Sequence, residues 1–324
     1  MKKLTASFLA LVFCSAFASS SALAVCNASA TTTPATINYG SNASQTVPAG
    51  GISPNGAAVD ATFSVTCSSA LTLQLLSLSS WLRYSAQQPL NLSNGTDTIS
   101  YTLASNSTYT PAITAQGQSV GGPSGFSLLS LAVLSSGTIS IPLHVKTNTT
   151  TLWPSAGTYT ASQTLTVDGN ICTSVSIAVV CLGYTPVNST VTMNMTMVVS
   201  KSCEFISTPT LVDFGSVSFL ENAVAAQLSV SVRCTNQEDY LLYADNGNNY
   251  TAGSRYLKSP GGQSIAYQIF QPGSTTQILG ITNPLNRLGT GMSETVNLPV
   301  RITAGQSTPI AGTYTDNVRM VIEY

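Results

Sequence analysis

The stretch AGTYTASQTLTV at residues 156–167 returns in altered form as AGTYTDNVRMVI at residues 311–322. The first five residues are identical in the two stretches, and the residues that follow alternate in a similar way. Alternation with a period of two is typical of a β-strand that buries one face. The chain therefore carries one strand twice, which predicts an internal duplication.

The duplication extends upstream, because the segments that precede this strand recur in the same order. The pairs are INYG (37–40) with VDFG (212–215), FSVTC (63–67) with VSVRC (230–234), LRYS (82–85) with SRYL (254–257), TISYTL (98–103) with SIAYQI (264–269), and ISIPLHV (139–145) with VNLPVRI (296–302). Such short alternating segments, bounded by Gly, Pro, Asn or Ser, are typical of strands. The sequence predicts an all-β fold of two tandem immunoglobulin-like antiparallel β-sandwiches.

The N-terminal residues are typical of a secretory signal peptide. Lys2 and Lys3 precede a short apolar run that ends in an Ala-x-Ala cleavage site at Ala22 and Ala24. The run is shorter than the roughly 20 residues that a membrane span needs, which argues against an anchor. We expect residues 1–24 to be removed, and the mature chain to be exported without membrane insertion.

Charged residues make up only 7% of the chain. Removal of Lys2 and Lys3 leaves nine basic against twelve acidic residues, a net charge of −3. A surface with so few cations has no electrostatic footprint for nucleic acid. Neither a nucleophile motif nor paired carboxylates are present, so we expect neither an enzyme nor a cofactor.

Six of the seven cysteines remain after Cys14 leaves with the signal peptide. An even count in an exported protein predicts disulfides. The duplication pairs Cys26–Cys67 with Cys203–Cys234 and leaves Cys172–Cys181, which has no counterpart. A metal site is not expected, because there is no CxxC motif and the single histidine, His144, lies on what we predict is the polar face of a strand.

The segment STVTMNMTMVVSKSC at residues 189–203 contains an amphipathic strand over 190–199. Its apolar face comprises Val191, Met193, Met195, Met197 and Val199. The second copy has no such strand before Tyr324, and a sandwich without its last strand exposes an apolar groove and unpaired backbone groups. We expect the strand to complete the first copy in cis and the second copy to lack its final strand. The alternative is two complete sandwiches joined by a stiff linker.

The pattern Cys203, DFG, VSVRC, RYL, AYQI, LPVRI and AGTYTDNVRMVIEY resembles the spore coat protein U domain family across residues 202–324. The whole chain resembles the two-domain tip adhesin subunits of Csu-type, or archaic, chaperone–usher pili. In that family a strand just before the first cysteine is inserted into the preceding subunit. Here that strand is internal, and the mature N-terminus at Val25 and Cys26 carries no extension. The resemblance implies a subunit that accepts a strand and donates none, as at the end of a fibre.

The resemblance also implies a domain organisation and a set of partners. The expected parts are a signal peptide (1–24), an N-terminal adhesive tip domain (25–188), a cis donor strand and linker (189–201), and a C-terminal pilin domain (202–324). A periplasmic chaperone would pair with DNVRMVIEY (316–324), with Val318, Met320 and Ile322 facing the groove. The outer-membrane usher would then exchange the chaperone for the next pilin subunit, which places the chain at the pilus tip on the cell surface.

Counting alternating strands predicts which loops lie at the end of the first copy that faces away from the second. If 190–199 pairs antiparallel with 157–167, segments 168–188 and 120–137 both lie at this far end. Exposed apolar residues in loops indicate a contact surface. For 127–134 a buried strand is an equal alternative. The same count places Trp81 and Trp153 at the near end. The candidate surface-binding residues are Phe126, Leu128, Leu129, Leu131, Val133, Val175, Ile177, Ala178, Val179 and Val180.

The leading functional hypothesis is a pilus tip adhesin that attaches bacteria to abiotic or host surfaces and seeds biofilm. Hydrophobic contact is non-directional and scales with buried area, so it suits many materials. Two alternatives keep the same architecture. One is a lectin-like tip that binds a host glycan, and the other is a non-adhesive subunit that initiates the pilus.

Overall fold

The computed structural model describes residues 26–30, 36–54, 61–67, 80–123, 133–135, 138–172, 176–177, 180–181 and 183–324. In this part of the chain the fold is all-β, as predicted, and the helices are two 3-10 turns at Val47–Ala49 and Leu220–Asn222. No helix in the described ranges is long and apolar enough to cross a membrane. The buried apolar residues form two cores, one between Cys26 and Val199 and the other between Leu228 and Val300.

The first core is enclosed by the strands of one twelve-stranded sheet, which together with a separate two-stranded hairpin we call the first sandwich. Their pairing order is β2-β14-β1-β3-β10-β6-β5-β11-β4-β8, with β14 also paired to β11. The strands are β1 (Cys26–Ala30), β2 (Thr36–Ala43), β3 (Ala61–Cys67), β4 (Trp81–Ala86), β5 (Asn91–Ser93), β6 (Thr98–Ala104), β7 (Ala112–Ile113), β8 (Ser119–Gly121), β9 (Val133–Ser135), β10 (Thr138–Thr147), β11 (Gly157–Cys172), β12 (Ser176–Ile177), β13 (Val180–Cys181) and β14 (Tyr184–Ser200).

The second core is enclosed by nine strands in two sheets within 203–323, which we call the second sandwich. One sheet has the order β15-β16-β22-β20-β19-β18 and the other β21-β17-β23. The strands are β15 (Cys203–Ser207), β16 (Ala226–Cys234), β17 (Asp239–Ala244), β18 (Tyr250–Thr251), β19 (Ser254–Lys258), β20 (Ser264–Ile269), β21 (Leu285–Leu288), β22 (Ser293–Ile302) and β23 (Met320–Glu323).

The duplication is visible in local geometry as well as in sequence. Cys26 lies opposite Cys67 across β1 and β3, and Cys203 lies opposite Cys234 across β15 and β16; each pair forms a disulfide. The repeated tyrosine closes the same corner in both copies. Tyr159 donates its hydroxyl proton to the carbonyl of Ser155, and Tyr314 donates to that of Ile310.

One of the sequence matches is wrong. LRYS lies in β4, which pairs with β11, whereas SRYL lies in β19, which pairs with β20 in the other sheet of its sandwich. The strand that pairs with β23, as β4 pairs with β11, is β17. A four-residue match is too short to identify the equivalent strand. The Leu-Arg-Tyr sequence of β4 resembles both the Arg-Tyr sequence of β19 and the Leu-Leu-Tyr sequence of β17.

Strand β14 completes the first sandwich. It pairs antiparallel with β11 along their whole length, from Gly157 opposite Val199 to Cys172 opposite Tyr184, and it runs parallel to β2. Its inward residues are all at most 3% exposed: Val187, Val191, Met193, Met195, Met197 and Val199. The strand begins at Tyr184 and not near residue 190, because Tyr184–Ser189 stays in register with β11. The predicted connection at 168–188 is correspondingly shorter.

A tight junction joins the two sandwiches. Lys201 and Ser202 alone separate β14 from β15, and Lys201 forms an ion pair with Glu238. The Ser44 hydroxyl is fully buried and hydrogen-bonds to Ser202 Oγ at 2.8 Å and Thr235 Oγ1 at 2.6 Å. Hydroxyl groups that are buried without partners are costly, so this network ties both sandwiches to one geometry.

Trp153 forms the apolar part of the junction and is only 3% exposed. Its backbone N–H donates to the carbonyl of Gly291 at 3.0 Å, and the Arg233 guanidinium lies 4.9 Å from its ring centroid. Gly291 has a φ of +71°, and a Cβ there would lie 2.5 Å from the Trp153 carbonyl oxygen. Only glycine permits this approach.

Asp97 adds a charged group to the junction. Its carboxylate accepts hydrogen bonds from Asn236 Nδ2 at 3.0 Å and from the Ser155 N–H at 2.7 Å. Burial alone would raise the pKa of this carboxyl, but the hydrogen bonds from Asn236 and Ser155 outweigh it and lower the pKa below 3.8. The ionised form is therefore the one that the junction stabilises.

The lowered pKa of Asp97 predicts that acid weakens the junction. The contribution of Asp97 to folding is present above the ordinary pKa of 3.8 and is lost as pH falls through the lower folded-state value. We expect the wild type to be more stable than Asp97→Asn at neutral pH and this difference to shrink between about pH 5 and about pH 2. Thermal unfolding across that range measures it, and a constant difference would contradict the prediction.

The burial of β14 predicts a large effect on stability for one substitution and a small effect for a substitution at the neighbouring residue. Met195→Asp places a charge without a partner in the first core and should lower the free energy of unfolding by at least about 3 kcal/mol. Asn194→Asp changes the exposed neighbour on the outer face and should alter it by less than about 0.5 kcal/mol. Denaturant unfolding compares them, and equal effects would show that β14 does not close this core.

Candidate functional site

The second sandwich has an open edge where the first is closed. Its strand β23 pairs with β17 on one side and, among the described residues, with no strand on the other. Its counterpart β11 pairs with β4 on one side and with β14 on the other. The second sandwich therefore has an open groove at the position that β14 occupies in the first.

The apolar residues that line this groove are only partly buried. In the first sandwich Leu165 and Val167 are 0% exposed beneath β14. Their counterparts Met320 and Ile322 only pack against the rim of the second core, as does Val318 at the position of Gln163. These are the three residues for which the sequence predicts a position facing the groove.

The opposite wall of the groove repeats the contrast. Ile37 and Tyr39 of β2 are 2% and 1% exposed, whereas the matching Val212 and Phe214 are only partly buried. Residues 208–217 form no strand, while β2 forms a ladder with β14. The turn itself is preserved, because the Gly40 and Gly215 N–H groups each donate to the side chain two residues earlier at 2.8 Å. We call the cleft between 208–217 and 316–323 the groove.

The β23 side of the groove is held in place by the remainder of the second sandwich. The Arg319 N–H donates to Asp245 Oδ1 at 2.9 Å, and the Asp245 N–H donates to the Arg319 carbonyl at 2.9 Å. Asp316 accepts from the Tyr267 hydroxyl at 2.7 Å. These bonds use the inner edge of the segment and leave its outer edge facing the groove. The edge of this segment that faces the groove therefore pairs with no strand in the described part of the chain.

The second candidate site is the far end of the first sandwich, where β11 turns into β14. The hairpin pairs Ser176 with Cys181 and Ile177 with Val180 between those strands. Strand β14 has 17 residues, so this hairpin lies roughly 55 Å from the junction. Cys172 is disulfide-bonded and 1% exposed; its pairing with Cys181 remains a prediction, because the Cys181 side chain is outside those described.

Most predicted surface-binding residues fall outside the described part of the chain. Val133, Ile177 and Val180 have a described backbone but no described side chain. Val133 lies in β9, which pairs with β10 through Ser140 opposite Val133. The others lie outside the described residues altogether: Phe126, Leu128, Leu129, Leu131, Val175, Ala178 and Val179. The signal peptide at 1–24 also lies outside them.

The structure corrects the predicted position of Trp81. Trp81 pairs with Asn170 near the end of β11, so it lies at the far end and not beside the junction. Because β4 runs antiparallel to β11, its first residue lies beside the last residues of β11 at the far end. Trp81 is half-buried, and the Arg83 guanidinium lies 5.9 Å from its ring and forms a 2.6 Å ion pair with Asp168. An aromatic ring beside two polar groups therefore lies on this end.

The structure also corrects the expectation for His144. It is 8% exposed and does not lie on a polar outer face, because the loop that follows β6 covers it and Tyr109 packs edge-on at 6.3 Å between ring centroids. The described residues contain no group of three or more His, Cys, Asp or Glu that could hold a metal ion.

Comparison with known proteins assigns the C-terminal part. Residues 189–321 match the family model of the Spore Coat Protein U domain. The C-terminal part of the chain is therefore similar to that domain. The match begins within β14, so the Spore Coat Protein U region includes the latter part of the strand that closes the first sandwich as well as the second sandwich itself. No curated protein sequence matches the chain.

Solved structures resemble the whole chain at low identity. One belongs to the CsuC–CsuE chaperone–tip adhesion subunit complex of the archaic chaperone–usher Csu pili of Acinetobacter baumannii, with 17% identity, a TM-score of 0.48, and 93% of this chain and 100% of that chain covered. Another is the CupB6 tip adhesin of Pseudomonas aeruginosa, with 13% identity, a TM-score of 0.31, and coverage of 83% and 88%.

The open groove predicts binding of a strand that resembles β14. We expect a peptide with the sequence of residues 187–200 to bind the full chain and, at about 100 times its dissociation constant, to stabilise it by about 2.7 kcal/mol. Met320→Asp should abolish binding because Met320 faces the groove. Arg319→Ser should not, because the Arg319 side chain is 88% exposed. Calorimetry measures both, and unchanged binding by Met320→Asp would contradict the prediction.

Proposed function

We propose that the chain is the tip adhesin of a chaperone–usher pilus. The observation that carries this proposal is the contrast between the two sandwiches. The first is closed by β14 of the same chain, whereas the second has an open groove at the corresponding position. A subunit that closes one sandwich internally and offers a groove at the other can be held at one end of a fibre by a strand from another subunit.

The groove is proposed to hold two partners in succession. A periplasmic chaperone first pairs with residues 316–324 and covers Val318, Met320 and Ile322, since an open apolar edge invites aggregation. The outer-membrane usher then exchanges the chaperone for the strand of the next pilin subunit. We expect that strand to resemble β14, which has apolar side chains at nearly every second position and pairs antiparallel along the edge of β11.

The far end of the first sandwich is proposed to be the adhesive surface. Its candidate residues, in segments 126–134 and 172–181, are apolar and lie in the connections that precede β10 and join β11 to β14. A few exposed Val, Ile and Leu side chains contribute roughly 1–2 kcal/mol each on contact with an apolar material. Many pili together then hold a cell by avidity. Export to the cell surface, attachment and biofilm formation follow from this role.

Adhesion of the full chain to polystyrene and to hydrophilic glass tests the adhesive surface. We expect preferential binding to polystyrene, and Ile177→Asn with Val179→Asn should reduce it at least about fivefold because apolar contact area is lost. Val198→Asn is the matched control, since Val198 is 42% exposed but lies near the junction end of β14. Equal binding of native and doubly substituted chains would overturn the assignment of these residues, and binding of the native chain to no surface or sugar would leave a non-adhesive, pilus-initiating subunit.

A second candidate function is recognition of a host glycan at the same end. The position of Trp81 beside Arg83 and Asp168 favours it, because sugars stack on aromatic rings and hydrogen-bond to charged groups. The same adhesion experiment separates the two candidates. Competition by soluble sugars, together with loss of binding in Trp81→Ala, would favour the glycan. Insensitivity to both favours the apolar surface.

A further inference from the structure

Apolar side chains are exposed at the end of the second sandwich that faces away from the first. Phe219, Ile310 and Val224 are 57%, 65% and 77% exposed. The Leu220 N–H donates to Thr308 Oγ1 at 3.4 Å, which places the Phe219 turn beside the segment that carries Ile310. This surface adjoins the groove, because Ile310 precedes the strand that lines it.

The corresponding positions of the first sandwich are buried in the junction. The duplication aligns Ile310 with Ser155, and the shared Gly40 and Gly215 turns align Phe219 with Ser44. Ser155 and Ser44 are 5% and 0% exposed, because the second sandwich covers this end through Ser202, Thr235 and Asn236. The end of the second sandwich that exposes these apolar side chains therefore corresponds to the end of the first sandwich that forms the junction.

Strand direction determines what would lie against this end. Strand β14 finishes beside Gly157, and the next sandwich begins at Cys203 after a linker of two residues. A strand that binds the groove in the same direction would finish beside Gly312. The sandwich that follows it would then begin within a few residues of Ile310 and Phe219, because the linker is as short as Lys201 and Ser202.

We propose that Phe219, Val224 and Ile310 form a docking surface for the body of the subunit whose strand fills the groove. This rests on the proposed function, in which the groove accepts a strand from another subunit. The partner is a sandwich of the Spore Coat Protein U type, docked through the end that carries its first disulfide. In this chain that end presents Ser202, Thr235 and Gly291 to the first sandwich.

The chemistry of the two interfaces differs in one respect. The internal junction has the hydroxyl groups of Ser44 and Ser155 beside the buried Trp153, whereas the second sandwich has the apolar side chains of Phe219 and Ile310 at those two serine positions. Burial of apolar area is less sensitive to salt than a charged contact. The docked body therefore adds an apolar contact to the backbone pairing within the groove.

Two measurements on the full chain test this surface. The substitutions are Phe219→Ser with Ile310→Ser, and the control is Ile281→Ser, which is 55% exposed on the loop between β20 and β21. The first measurement is the affinity for the peptide of residues 187–200. The second is the rate at which denaturant releases the chain from fibres sheared from producing cells.

We expect the double variant to bind the peptide as the wild type does but to leave the fibre at least about tenfold faster, with the control unchanged. An unchanged release rate would overturn the docking surface while leaving the groove intact. Loss of self-association in the purified double variant, with unchanged release from the fibre, would overturn it in favour of a second copy of the chain. Wild-type chain that binds no peptide and is absent from fibres would refute both proposals.

Discussion

The pairing of β14 with β11 is the interaction on which the remainder of the structure depends. It buries six apolar side chains in the first core and continues the ladder along the whole of β11. It also sets the direction in which the chain leaves the first sandwich. The second sandwich then begins after a linker of only two residues. The hydroxyl network of the junction forms only because this strand ends beside Ser44.

The second sandwich repeats features of the first but lacks a counterpart of β14. Its turn at Gly215, its disulfide and its tyrosine corner are preserved, yet Met320, Ile322 and Phe214 remain at the rim of the core. A strand edge with unpaired backbone groups is stable in a soluble protein only when it is protected or paired. The two copies therefore differ by one strand and not in the arrangement of their other repeated features.

Sequence reasoning was accurate where residue patterns are long. The alternation of 190–199 matches the burial of β14, and the ordered repeat places the cysteines of each disulfide opposite each other. It was wrong where patterns are short or ambiguous. LRYS was matched to the wrong strand, and Trp81 was placed at the wrong end by the strand count. His144 was expected outside because a loop that covers an alternating strand leaves no periodic signal.

The sequence by itself determined that the chain is all-β, that it is duplicated, and that a single amphipathic strand separates the copies. These are local properties, since a period of two and a cysteine position depend only on nearby residues. Only the tertiary structure decided that β14 extends back to Tyr184, that the junction is a buried hydroxyl and tryptophan contact, and that Phe219 and Ile310 are exposed. Those features depend on residues far apart in the chain, whose contacts arise only when the sheets close.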